Sequence, residues 1–210
     1  MNAPATPPRD PAARRVLIAT LVLLVAVTAA LVAWQPGRPD RGTLPGSAGR
    51  DVSFALQSAD GPVRLADFRG QVGVVYFGYT FCPDVCPTSL ATLGAALGSL
   101  SAAELARVQP FFISVDPARD TPEQLKNYSR FFHPKLLGLT GSPEAIADVA
   151  RRYGVYYAAQ TPAVGDTGYS VDHTSVLYLI GPDGSLAGQL PHGTPPAEVA
   201  AALRRLLAAS

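Results

Sequence analysis

Sulfur is scarce in this chain. Its 210 residues include two cysteines and a single methionine, Met1. That shortage excludes a multi-disulfide scaffold, a four-cysteine zinc site, an iron–sulfur cluster and a methionine-rich metal site. Charge is scarce as well: only 16% of residues are charged, and 17 basic against 16 acidic side chains leave a net charge of +1. With no basic footprint for nucleic acid, a DNA- or RNA-binding role is not expected. Apolar residues, by contrast, make up 48% of the chain, and the 20 prolines and 19 glycines are scattered among apolar runs. This composition supports a packed core and argues against a disordered chain. At about 150 residues per domain, the length fits one domain plus an additional segment. No internal repeat is present.

The additional segment lies at the front. Residues 1–15 (MNAPATPPRDPAARR) form a Pro/Ala-rich tail ending in Arg14 and Arg15. Val16 to Trp34 then carries no charge, and as a helix it spans about 28 Å, close to the hydrocarbon thickness of a bilayer. Thr20 and Thr28 can bond back to the helix, and Trp34 stands where an interfacial aromatic belongs. A cleaved signal peptide is the other reading, but its apolar core is usually about 7–15 residues long and ends at an A-x-A site. No cysteine lies nearby to carry a lipid. A retained transmembrane anchor over 16–34 is therefore expected. Arg9, Arg14 and Arg15 before it, against Arg38 and Arg41 after it, favour the tail in the cytoplasm and the domain outside. The expected location is single-pass in a bacterial inner (cytoplasmic) membrane, with the domain facing the periplasm or outer side. Residues 35–50 read as a Gly/Pro/Arg-rich tether. The rest, 51–210, is long enough for one well-buried core.

Within it, 51–65 predict two short strands around Ala59-Asp60-Gly61. Gln71–Tyr79 (QVGVVYFGY) fits a strand buried on both faces. A helix is expected from Pro87 to Leu100, with Leu90, Leu93 and Leu97 on one face. Ser101 to Glu104 is a capping box, and Phe111–Val115 a second buried strand. Thr121-Pro122 and Ser142-Pro143 each open a helix, the second closed by Gly154. A hairpin of Val171–Ile180 and Ser185–Leu190 turns at Gly181-Pro182-Asp183-Gly184, and a last helix begins at Thr194-Pro195. Strands alternating with helices, then a terminal hairpin and helix, give an α/β fold of thioredoxin-like type: a central mixed sheet flanked by helices.

Cys82 and Cys86 (FCPDVCP) fall between the strongest strand and the next helix, where thioredoxin-like folds carry a C-x-x-C pair. The spacing here is one residue longer. In a helical turn it places the β-carbons about 5–6 Å apart, wider than the roughly 3.5–4.5 Å of a relaxed disulfide. Two sulfurs converging on one ion tolerate that span, so the spacing leans towards metal. With Pro87 as first helical residue, Cys86 sits at a helix N-terminus, which favours a thiolate. The competing reading is a structural disulfide, although so short a loop gains little unfolded-state entropy.

Of the three histidines, His133 and His192 each adjoin a proline in a loop and are read as packing or surface residues. His173 (YSVDHTSV) lies at a strand end that can face the cysteine turn; it is either a ligand or a hydrogen-bonded histidine. Two thiolates and an imidazole make a soft, three-coordinate set: thiolates select Cu(I), and imidazole accepts either copper oxidation state. A structural zinc would want a fourth protein ligand, for which Asp84 and Asp172 are the remaining candidates. Asp172 can also be a turn former or a solvated carboxylate. Asp116, Arg119 and Asp120 (DPARDT) end a strand and cap a helix with an Arg–Asp pair; the alternative is support of the site or partner docking.

Four segments, VVYFGYTFCPDVCP, FFISVDPARDTPEQL, LTGSPEAIADVARRYGVYY and YSVDHTSVLYLIGPDG, resemble the Sco/SenC family of membrane-anchored copper proteins over residues 51–190. Departures are Ala118, where an acidic residue is common, and Thr174, where serine is common. The resemblance implies copper bound by Cys82, Cys86 and His173 and delivery to the binuclear centre of cytochrome c oxidase subunit II, with an upstream copper donor. The alternative it carries is a thiol–disulfide oxidoreductase that reduces an exported partner's cysteines, for which Cys82 and Cys86 would be the redox pair. In an oxidising compartment copper binding calls for a thiol reductant for this pair, because a disulfide cannot ligate copper. No signalling domain and no peroxidatic motif accompany these features.

Overall fold

The computed structural model describes residues 11–33, 51–161 and 168–209. Two compact units are distinguished. The first contains helix α1 (Pro11–Ala33, 23 residues). It begins earlier than the expected span, within the segment read as a tail; the rest of that tail, Trp34 and the 35–50 tether lie outside the described residues. Side chains are described for Ala12 and from Ile18 to Thr28; the apolar ones of Ile18–Val27 are exposed, and Thr28 Oγ1 donates to the Leu24 and Val25 carbonyls at 2.9 Å. Among the described residues, no helix is long and apolar enough to cross a membrane.

The second unit is a mixed α/β domain. Hairpin strands β1 (Ala55–Ser58) and β2 (Gly61–Arg64) pair antiparallel and lead through a 3-10 turn (Leu65–Phe68) into β3 (Val72–Gly78). Every residue of β3 is buried, as it is in β4 (Val108–Ser114). Strands buried at every position are covered on both faces. The two pair in parallel, so their connection must cross over through helices: α2 (Val85–Gly98) and α3 (Ala102–Ala106). A second crossover, α4 (Pro122–Phe132), reaches β5 (Leu137–Leu139). After α5 (Pro143–Tyr153), strands β6 (Tyr157–Ala159) and β7 (Val171–His173) form a separate two-stranded sheet. The chain ends with β8 (Val176–Ile180), β9 (Leu186–Pro191) and α6 (Pro196–Ala208). The main sheet has the order β5-β4-β3-β8-β9, with β8 and β9 antiparallel to their neighbours.

Ring contacts show both faces filled. Tyr76 stacks on Phe112, which meets Tyr128 of α4. On the opposite face Phe77 meets Tyr153 of α5, and Phe111 meets Phe54 and Phe68. Helix starts follow their local chemistry. Ser101 and Thr121 make reciprocal capping boxes with Glu104 and Gln124, and Ser142 Oγ accepts from the Ala145 amide. Gly154 ends α5 at φ +70°, a left-handed conformation that favours glycine.

Three expectations need correction. Helix α2 starts at Val85 rather than Pro87; the proline sits within the first turn, where an amide would have no intrahelical partner. The expected strand Val171–Ile180 is interrupted at Thr174-Ser175, because the Thr174 amide donates to Tyr156 O, and Ser175 O accepts from the His192 amide. Strands β5 and β6, each three residues long, were not anticipated.

Candidate metal centre

The turn after β3 carries the first cysteine, and the second residue of α2 is the other. Cys82 is 8% exposed and Cys86 fully buried, and both are free thiols. The Cys86 amide, one of the helix-start donors without an intrahelical partner, donates to Cys82 Sγ at 3.4 Å. The Cys86 thiol and the Asp84 and Cys86 amides hydrogen-bond to the Cys82 sulfur; they outweigh burial and bring its pKa down to about 4. Cys86 moves the other way, because its hydrogen bond to Cys82 and its burial both favour the thiol.

His173 ends β7 and turns inward. Its Nε2 lies 3.2 Å from Cys86 Sγ, and its Nδ1 lies 3.2 Å from the Thr174 carbonyl. A carbonyl accepts only, so Nδ1 is the ring nitrogen that can donate to Thr174, while Nε2 is the one that faces the sulfur. Tyr76 and Tyr79 present edge-to-face contacts to the imidazole at 6.2 and 5.9 Å between centroids. Ligand atoms from Cys82, Cys86 and His173 all lie within 4.8 Å of one another, and among the described residues this is the group placed to hold a metal ion. A cleft of about 260 Å³, lined in part by Tyr79, Cys82, Asp84, Val171 and His173, gives access to it.

The remaining candidates divide. Asp84 is exposed on the rim of the cleft and lies outside the converging group. Asp172 is exposed, lines the same cleft and accepts from Gln160 Nε2 at 2.6 Å, but its carboxylate lies outside the converging group. Asp120, 1% exposed, accepts from the Thr80 amide and hydroxyl at 3.0 and 2.5 Å and from Ser114 Oγ at 2.6 Å. It thereby fastens the start of the cysteine turn to the end of β4. Asp116 pairs with Arg119 and accepts from Tyr169 Oη. His133 Nδ1 accepts from the Lys135 amide, and His192 is bonded to Ser89 Oγ.

Sequence reasoning missed several residues that shape this centre. Gly78 is one: a β-carbon there would stand 2.6 Å from Cys86 Sγ. Tyr79 is another, its Oη accepting from the Val171 amide at 3.2 Å and so tying β7 to the main sheet. Both sit in an apolar run that reads simply as core.

A mixed sheet flanked by helices, with two cysteines at a strand-to-helix turn and a histidine folded over them, defines a thioredoxin-like domain with a soft-metal donor set. The SCO1/SenC family model matches residues 45–208, and the chain belongs to that family. It is 46% identical over 158 residues to the mitochondrial Protein SCO2 homolog of Bos taurus, covering 74% of this chain and 59% of that protein. The chain thus spans less than two thirds of that relative's length. The crystal structure of Arabidopsis thaliana ScoI with copper bound superposes at a TM-score of 0.69 with 38% identity, over 75% of this chain and 98% of the other. BsSco, a member of the Sco family of cytochrome c oxidase assembly proteins in which a disulfide switch was identified, superposes at 0.58 with 27% identity, over 75% and 93%.

Proposed function

We propose that this protein is a membrane-anchored copper metallochaperone. Cys82, Cys86 and His173 bind copper, and the domain delivers it to the binuclear centre of cytochrome c oxidase subunit II. The observation that carries this reading is the convergence of two sulfurs and an imidazole nitrogen within 4.8 Å, two of whose residues, Cys82 and His173, line an open cleft. The donor set fits the metal: thiolates prefer Cu(I), imidazole serves either oxidation state, and among the described residues no carboxylate of the kind a hard ion requires joins the group. The copper-bound relative supports the same assignment. Access through a cleft suits a cargo that arrives from a donor protein and leaves for a recipient's thiolates. A role in oxidase assembly draws on the BsSco relative. The uncharged run Val16–Trp34, with the apolar side chains of Ile18–Val27 exposed, supports an anchor. The arginine bias supports a periplasmic domain on a bacterial inner membrane.

Loading the reduced full chain with Cu(I) is expected to give one ion per chain. Cys82→Ala, Cys86→Ala and His173→Ala are each expected to weaken binding. Unchanged affinity in the histidine variant would remove His173 from the site.

One observation favours a second reading, thiol–disulfide exchange on an exported partner. Cys82 borders the cleft while Cys86 is fully buried behind it, which suits an attacking and a resolving thiol. Such exchange does not need His173. A His173→Ala strain retaining full oxidase assembly would favour it over copper delivery.

A further inference from the structure

His173 reaches the cysteines on a small, separate piece of structure. Strand β7 has three residues and pairs, among the described residues, with β6 alone; neither belongs to the sheet that carries the cysteine turn. Besides the two-residue link Thr174-Ser175 to β8, side-chain ties between the two parts set the spacing between imidazole and sulfurs. One is the Val171 amide on Tyr79 Oη. The other centres on Arg119, in the turn between β4 and α4.

The Arg119 guanidinium lies between the two halves of the site. Its carbon is 3.7 Å from the Tyr169 ring centroid and 4.9 Å from that of Phe81, the residue before Cys82. Nη1 donates to the Tyr169 carbonyl at 2.7 Å, and Nε is paired with Asp116. Tyr169 Oη donates to the same Asp116 at 2.7 Å. Asp116 is 4% exposed, so one buried carboxylate fixes both the cation and the phenol beneath it. A planar guanidinium can cover rings and donate within its plane at the same time; a lysine ammonium cannot do both.

We propose that Arg119 is a positioning residue for His173: it clamps the cysteine turn through Phe81 and the histidine strand through Tyr169, and so sets the separation of Nε2 from the two sulfurs. This inference rests on the reading of Cys82, Cys86 and His173 as copper ligands.

The test is a double-mutant cycle on Cu(I) affinity, measured on the reduced full chain by competition with a chromogenic Cu(I) chelator. Arg119→Lys and Tyr169→Leu are each expected to weaken binding about 10–100-fold, the range found when groups that orient a metal-bound histidine are removed. In a His173→Ala background both losses should nearly vanish, because the clamp then has no ligand to position. Lys126→Ala, which removes an ion pair with the exposed Asp60, is expected to leave affinity unchanged. The two clamp variants act from opposite sides, so if one misfolds by near-UV circular dichroism the other still decides. Wild-type affinity in a folded clamp variant would overturn the proposal. So would a loss that persists undiminished without His173, the signature of a general structural role. Failure of the copper reading itself looks different: the wild-type chain would not take up Cu(I), or His173→Ala would bind as tightly as wild type.

Discussion

Replacing Gly78 by alanine should damage the metal centre through a single methyl group on a strand. The added β-carbon would stand 2.6 Å from Cys86 Sγ, 3.0 Å from Phe112 Cε2 and 3.2 Å from Tyr76 Cε1, whereas ordinary contact begins at 3.4 Å. The two rings hem the methyl in, so the sulfur must retreat by about 0.8 Å if the strand holds its place. That is a quarter of the 3.2 Å between this sulfur and His173 Nε2, and it exceeds the ~0.5 Å within which a functional constellation must be held. Overpacking of a buried site costs about 1–3 kcal/mol, which lowers the melting midpoint by about 2–12 °C in a domain of this size. The effect on Cu(I) affinity should be a loss of about 10–100-fold. Gly98→Ala is the matched control: nothing lies within 4 Å of its new β-carbon, and it should leave copper binding intact. The assay is chelator competition on both variants beside thermal unfolding. If Gly78→Ala lowers the midpoint yet binds Cu(I) as tightly as wild type, the sulfur's position is not set by its contact with β3, and the reasoning fails.

Asp120→Ala strips acceptors from the Thr80 amide and hydroxyl and from Ser114, so it should cost about 3 kcal/mol and lower the midpoint by about 6–12 °C; a shift within 2 °C, measured by calorimetry, would contradict the anchoring role. Ser142→Ala removes only the cap of α5, and is expected to cost about 1 kcal/mol with no change in copper stoichiometry by metal analysis. His133→Ala and His192→Ala should both retain a full complement of copper, since their rings bond to the Lys135 amide and to Ser89; copper lost from either would show that the ligand set has been misassigned.

How far these features were legible depended on whether their cause was local. Capping residues Ser101, Thr121 and Ser142 act on amides a few residues away, and the structure places each where its sequence pattern indicates. The near-continuous apolar run around β3 and the shorter Phe111–Val115 stretch likewise announce strands buried on both faces, although β4 begins earlier, at Val108, through the buried Gln109. The start of α2 was not legible, because Pro87 suits any place in a first turn and Cys82 supplies the acceptor for the Cys86 amide from outside the helix. Nor was the break after His173: the run Val171–Ile180 alternates well enough for one strand, and only contacts from Tyr156 and His192 divide it. Gly78 and Tyr169 acquire their meaning from residues elsewhere in the sequence, Cys86 lying across a turn and Asp116 beyond two helices and two strands. Arg119 shows both sides of this. Its pairing with Asp116 could be read from a spacing of three residues, while its place over Tyr169 could not.

X-ray absorption at the copper edge of the Cu(I)-loaded, reduced full chain examines the donor set most directly, since it counts neighbours by element. Two sulfur neighbours and one imidazole nitrogen are expected, with the nitrogen contribution absent in His173→Ala. A first shell of sulfur alone in the wild-type chain, or a nitrogen contribution that survives loss of His173, would contradict it.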